Sequence, residues 1–139
     1  MACNQAVYTI PQGPLPGKKI TIRGTPKCDA SSFSINVALG PNFDSDDVAF
    51  HFAVRFDTNS VVCNDKTVCG WGKEEVHDCN FPFCKKAPFT VELLIDQCGY
   101  KASVNGNFFV SFNHRLKTGE CNNFLIIKQD VDVTDVKFG

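Results

Sequence analysis

The chain has 139 residues and a formal net charge of −1, and no run of Lys and Arg is longer than a pair. This length predicts one domain, spanning 1–139, with a hydrophobic core of its own. The charge balance argues against nucleic acid or an anionic membrane surface as the main partner. No apolar run approaches the roughly 20 residues that cross a bilayer, so membrane insertion is not expected.

The eight cysteines have two interpretations. An even number of cysteines is typical of a disulfide framework in a secreted chain, but the N-terminal sequence M-A-C-N-Q-A-V is not typical of a signal peptide. A domain of this length buries a core without disulfides, so we favour free thiols, with Cys63 packed inward. A local disulfide among Cys69, Cys79 and Cys84 stays open. The cysteine spacings match no strong zinc motif, and we predict neither a metal nor a cofactor.

Apolar residues alternate with polar ones in short segments along the whole chain, which predicts strands and almost no helix. The alternation begins at Ile20 and Ile22 and recurs after each turn. The further alternating positions are Phe33, Ile35, Val37 and Leu39; Val91, Leu93 and Ile95; Phe124 and Ile126; and Val131, Val133 and Val136. Asn105-Gly106 stands between two such segments and predicts a type I′ hairpin, since both residues tolerate positive φ. Regular spacing of the turns predicts an all-β fold, an antiparallel β-sandwich of two sheets.

The segment from Phe50 to Val76 contains the candidate binding residues. Phe50, Phe52 and Val54 alternate with His51, Ala53 and Arg55, so one face of the strand is apolar and the other carries an imidazole and a guanidinium. Asn64, Trp71 and Glu74 follow. Planar hydrogen-bonding groups beside one exposed aromatic ring are typical of a site for a hydroxylated ligand.

These motifs resemble those of the galectins, β-sandwich lectins that bind β-galactosides. H-F-A-V-R-F is similar to the family's H-x-N-P-R-F, V-V-C-N to V-x-N, and W-G-K-E-E-V to W-G-x-E-x-R. L-P-G-K-K-I-T-I-R-G and V-N-G-N-F-F-V-S-F-N-H-R-L are similar to the family's opening strand and late hairpin. The resemblance covers nearly the whole chain and implies a jelly-roll sandwich with the sugar on the outer face of one sheet.

The resemblance implies a role for five residues. Trp71 would stack on the apolar face of galactose, His51 and Arg55 would bond its axial 4-hydroxyl, and Asn64 and Glu74 would bond its 6-hydroxyl. Glu74 would also pair with Arg55 and orient the guanidinium before the ligand arrives.

Two positions depart from the family pattern. Ala53 stands where the family has Asn, and Val76 stands where it has an Arg directed at the second sugar. These losses favour altered selectivity for a bulkier glycan. The alternative is an interaction protein with the same fold that has lost ordinary galactoside binding.

An enzyme is not expected, because a glycosidase needs two carboxylates at the scissile bond, and only Glu74 and Asp57 are candidates. The acidic stretch Asp44-Ser45-Asp46-Asp47 is interpreted as a solvated turn rather than a calcium site.

The expected partners are β-galactoside glycans on glycoproteins or glycolipids. Cross-linking them requires a homo-oligomer, since one site per chain bridges nothing. The expected location is cytoplasmic, extracellular by a route without a signal peptide, or both.

Overall fold

A computed structural model describes residues 5–116 and 123–139. These residues form twelve strands and no helix, and so contain no helix that is long and apolar enough to cross a membrane. The strands are β1 (Gln5–Thr9), β2 (Lys19–Pro26), β3 (Ser32–Ala38), β4 (Val48–Arg55), β5 (Ser60–Thr67), β6 (Gly70–Trp71), β7 (Glu75–His77), β8 (Phe89–Ile95), β9 (Gly99–Val104), β10 (Asn107–Asn113), β11 (Phe124–Gln129) and β12 (Val131–Phe138).

The strands form two antiparallel sheets. A seven-stranded sheet has the order β1-β11-β3-β4-β5, and β5 then pairs with both β6 and β7. A five-stranded sheet has the order β10-β9-β8-β2-β12. The predicted antiparallel β-sandwich is therefore confirmed.

The core lies between the sheets and follows the predicted alternation in β4, whereas in β11 the core residues are Leu125 and Ile127 rather than the predicted Phe124 and Ile126, which pack on the outer face. Phe50, Phe52 and Val54 of β4 have no exposed surface, and the Phe50 ring stacks on Tyr100 of β9 with 4.6 Å between centroids. Successive side chains of a strand point to opposite faces, so this packing directs His51 and Arg55 outward. The fold thus positions the polar residues of β4 on the outer face of the seven-stranded sheet.

The Asn105-Gly106 hairpin is present as predicted. Asn105 and Gly106 have φ angles of 51° and 86° and join β9 to β10. Hydrophobic alternation alone did not reveal β1, β6 or β7, because β6 and β7 have only two and three residues and β1 has no fully buried face.

None of the six cysteines within the described residues forms a disulfide. Cys63 is buried in the core, as predicted, and burial raises the pKa of its thiol to about 12. Cys69, Cys79 and Cys84 are exposed and free, so the local disulfide left open by the sequence is absent from the structure.

Candidate functional site

Strand register assembles the centre of the candidate site. His51 of β4 lies opposite Asn36 of β3 on one side and Asn64 of β5 on the other. Residues directly opposite each other share a face, so these three polar side chains form a row across the outer face of the sheet. Asn36 was missed as a site residue, although its position between the core residues Ile35 and Val37 indicates an outward direction.

The hydrogen bonds of Asn36 determine which nitrogen of His51 carries the proton. Asn36 Nδ2 donates to the backbone carbonyl of Ile126 at 3.0 Å, which requires that Asn36 Oδ1 be the atom facing His51 Nδ1, 2.5 Å away. Because a carbonyl oxygen only accepts, His51 Nδ1 is the donor. In the neutral ring, Nε2 is then a hydrogen-bond acceptor.

The surroundings of His51 favour this neutral form. Burial lowers the pKa of His51 to about 4, with smaller contributions from the positive charges of Arg55, Lys66 and Lys128. The imidazole is therefore uncharged at neutral pH, and its unprotonated nitrogen Nε2 can accept a hydrogen bond from a donor such as a hydroxyl.

Arg55 and Glu74 form an ion pair. Arg55 Nη2 lies 3.7 Å from Glu74 Oε2, and both side chains are about half exposed. An exposed pair of this kind contributes little to folding stability, with measured values of ~0–1 kcal/mol. The pairing still restricts the orientation of the guanidinium and leaves other donors of Arg55 available to a ligand.

Trp71 provides an exposed apolar surface next to the imidazole. It lies in the two-residue strand β6 opposite Lys66, and 48% of its surface is exposed. Its ring is 4.5 Å from the His51 ring between centroids, at an interplanar angle of 50°. The two rings are in contact, so a ligand would lie on the exposed side of the indole rather than between them.

Asn64 is more enclosed than the sequence indicated, with 3% of its surface exposed. Its Nδ2 donates to the carbonyl of Gly72 at 3.0 Å, and its Oδ1 accepts from Arg115 Nη1 at 3.1 Å and from the amide of Asp65 at 2.9 Å. Only one amide hydrogen remains for a ligand.

Phe43 packs against the site from the loop between β3 and β4. Its ring lies 6.0 Å from His51 and 6.1 Å from Trp71, between centroids. The ammonium groups of Lys66 and Lys128 lie 4.4 and 4.1 Å from the Phe43 centroid, within cation–π distance. Phe43 and both lysines were missed by the sequence analysis, because their proximity depends on how this loop folds.

Ala53 and Val76, the two departures from the family pattern, lie in one row on the outer face. Val62 is opposite both of them, so the row consists of three apolar side chains from β4, β5 and β7. Ala53 is only 6% exposed, whereas Val76 is 56% exposed. The accessible apolar surface of this row is therefore at Val76.

The described residues contain no group of three or more His, Cys, Asp or Glu side chains arranged to hold a metal ion. The acidic stretch at Asp44–Asp47 lies in a turn, in which the Asp46 carboxylate accepts from the backbone amide of Asn42 at 2.8 Å.

The sandwich and its polar outer face, flanked by an exposed indole, are those of a β-sandwich lectin. A sequence profile of the galactoside-binding lectins matches residues 5–138. The chain belongs to the galectin family, whose members are lectins that bind β-galactosides.

Individual relatives agree with this assignment. Rabbit (Oryctolagus cuniculus) galectin-3 is 35% identical over 128 residues, which cover 90% of this chain and 50% of galectin-3. Human galectin-7 is 38% identical over 108 residues, or 78% of each protein. The chain thus spans about half the length of galectin-3.

Solved structures share the architecture. The galectin LEC-6 of Caenorhabditis elegans superposes with a TM-score of 0.82 at 27% identity, covering 96% of this chain and 89% of LEC-6. CG-16, a homodimeric agglutinin from chicken liver, has a TM-score of 0.80 at 27% identity, covering 98% of this chain and all of CG-16.

Proposed function

We propose that this chain binds β-galactoside-containing glycans through His51, Arg55, Asn64, Trp71 and Glu74. The observation that carries the proposal is the contact between a neutral His51 and the exposed Trp71 on the sheet face that also presents the Arg55–Glu74 pair. A hydrogen-bond acceptor, a guanidinium paired with a carboxylate and an apolar ring match a ligand with hydroxyls on one side and C–H groups on the other.

Each group has a distinct task in this proposal. His51 Nε2 accepts from the axial 4-hydroxyl, and Arg55 donates to the same oxygen. Trp71 covers the apolar face of the sugar, while Asn64 and Glu74 bind the 6-hydroxyl. An epimer without the axial hydroxyl leaves the His51 and Arg55 groups unpaired, which is the basis of selectivity.

Val76 alters selectivity beyond the galactose. It presents exposed apolar surface where the family has a cation, which favours a second sugar with an apolar or N-acetyl substituent over one recognised by charge. Ala53 removes one further polar contact from the same face.

The second candidate is an interaction protein that has lost ordinary galactoside binding, and Ala53 and Val76 are the observations that favour it. Retention on immobilised lactose, with elution by free lactose, tests the proposal. Trp71→Ala is the control for specific retention, and Leu94→Ala, on the outer face of the other sheet, is the control for loss of an exposed apolar side chain. Passage of the parent protein without retention would favour the second candidate.

Cross-linking of glycoproteins or glycolipids requires an oligomer in this proposal, because a single site bridges nothing. The homodimeric state of CG-16 is consistent with such an assembly. Binding needs no metal ion, since all the proposed contacts are side-chain groups. We propose that the protein is not an enzyme. Its proposed location is cytoplasmic, extracellular by a route without a signal peptide, or both.

A further inference from the structure

Arg115 connects the two sheets at the candidate site. It follows β10, a strand of the five-stranded sheet, yet its guanidinium lies against residues of β5 and β7 in the other sheet. Its Nη1 donates to Asp65 Oδ1 at 2.8 Å and to Asn64 Oδ1 at 3.1 Å, and its Nη2 donates to Glu75 Oε2 at 3.0 Å. The Phe112 ring, 4.7 Å away, supports the guanidinium from one side.

The carboxylates around Arg115 keep it in place. The Asp65 side chain is 10% exposed, so its charge requires a partner. Burial opposes the charge of Arg115, but the hydrogen bonds to Asp65 and Glu75 together with the charges of these carboxylates raise its pKa above the ordinary value. The guanidinium is therefore permanently charged and geometrically fixed.

This fixed cation constrains the direction of the Asn64 amide. Because a guanidinium only donates, the atom of Asn64 facing Arg115 must be Oδ1, and Nδ2 must point toward the Gly72 carbonyl. Gly72 is packed closely against the same group, since a Cβ there would overlap the Asp65 carboxylate and lie 3.0 Å from Arg115 Nη1. The remaining hydrogen of Nδ2 is the only group that Asn64 offers to a ligand.

We infer that Arg115 is a positioning residue that holds the Asn64 amide with its N–H toward the ligand and so makes the site selective for a galactoside that carries its 6-hydroxyl. The inference rests on the proposed galactoside function. Arg115 touches no part of the ligand in this role and acts through Asn64. A charge-assisted hydrogen bond restricts the amide more strongly than a neutral one.

The test compares methyl β-galactopyranoside with its 6-deoxy analogue by isothermal titration. In the parent protein, loss of the 6-hydroxyl is expected to weaken binding roughly tenfold, the scale of one ligand hydrogen bond. The ratio of the affinity for methyl β-galactopyranoside to the affinity for its 6-deoxy analogue is expected to be lower in Arg115→Ala than in the parent by about threefold or more. The reason is that the Asn64 amide loses one of its orienting partners. The preference for galactoside over the 4-epimer, the glucoside, is expected to stay at the parent value, which a general loss of structure would not leave unchanged.

Two further variants keep the result decisive. Arg115→Met combined with Asp65→Asn removes the guanidinium together with the buried Asp65 carboxylate, and this double variant replaces Arg115→Ala if that variant does not fold. Arg23→Ala is the matched control, because it breaks an exposed ion pair with Asp135 within the five-stranded sheet. This variant should retain the parent's ratio of affinities for the two galactosides.

The possible outcomes separate this inference from the proposed function. An unchanged 6-hydroxyl ratio in the Arg115 variants would overturn the positioning role, as would a parent protein that binds both galactosides equally. Failure of the parent to bind any galactoside would instead contradict the proposed function.

Discussion

The protonation state of His51 is set by its neighbours rather than by the residue itself. In the unfolded chain its pKa is near the ordinary 6.5, and in the folded protein burial lowers it to about 4. Between these values the unfolded chain binds a proton that the folded protein does not. The contribution of His51 to stability is therefore fully present above about pH 6.5 and is lost as pH falls toward 4.

We expect an NMR titration of the His51 ring to show a midpoint near pH 4 and no change between pH 8 and 5.5. Galactoside affinity should likewise show no transition near pH 6.5, because Nε2 stays unprotonated there. His51→Gln identifies the His51 resonance by its absence. A ring that titrates near pH 6.5 would show that His51 is not held in the neutral form.

The two departures from the family pattern should respond differently when reversed. Ala53→Asn places an amide between His51 and Arg55, and we expect it to tighten binding to simple β-galactosides by up to about tenfold. Val76→Arg should change binding of galactose little and binding of lactose more, because its position is directed at the second ring.

Titration of both variants with galactose and lactose distinguishes these effects, and the parent protein is the reference for each sugar. If Ala53→Asn weakens binding to both sugars, the outer face has been remodelled for another ligand.

The sequence indicated candidate residues but little of their surroundings. Strand alternation alone directs His51 and Arg55 to one outward face. Trp71 and Glu74 were proposed from the resemblance of W-G-K-E-E-V to the family motif. The contacts of Asn36 and Arg115 depend on strands and loops far away in the chain, 15 residues from His51 and 51 residues from Asn64. Such contacts follow from register and loop path, which alternation alone does not specify.

At the scale of elements, strong turns and long alternating strands were predictable and short edge strands were not. β12 shows where simple alternation fails. Val131, Val133 and Val136 all pack toward the core, although an odd and an even position of one regular strand should face opposite sides. A register shift between Val133 and Asp135 reconciles them. The outer-face cluster of Ala38, Val48 and Ile126, which packs with Phe43, was equally hidden, because no periodicity shows that a loop folds back over a sheet.

The β9–β10 hairpin offers a test of the turn itself. Gly106 has a φ of 86°, and a Cβ added at this position would have no atom within 4 Å. Gly106→Ala therefore introduces backbone strain without a steric clash. We expect the free energy of unfolding in urea to fall by ~1–2 kcal/mol, with lactose binding unchanged.

Asn107→Ala is the control for this variant, as an exposed position of the same hairpin without positive φ. Equal stability of Gly106→Ala and the parent would mean that the turn does not require its positive φ.

At the scale of the whole molecule, the predicted activity is cross-linking without metal. We expect the protein to agglutinate red cells, and lactose rather than EDTA to inhibit agglutination, since the described residues contain no cluster of metal ligands. Maltose, a disaccharide that contains no galactose, serves as the sugar control and should not inhibit agglutination. Loss of agglutination with EDTA and recovery with calcium would contradict metal independence.

The central claim is that one face of the seven-stranded sheet binds β-galactosides through an exposed indole and an oriented guanidinium. Isothermal titration of lactose into the parent protein, Trp71→Ala and Arg55→Ala tests it most directly, with circular dichroism to confirm the fold of each variant. We predict saturable binding to the parent and no measurable heat of binding with either folded variant. Binding of lactose to either variant with the parent's affinity would contradict this assignment of the site.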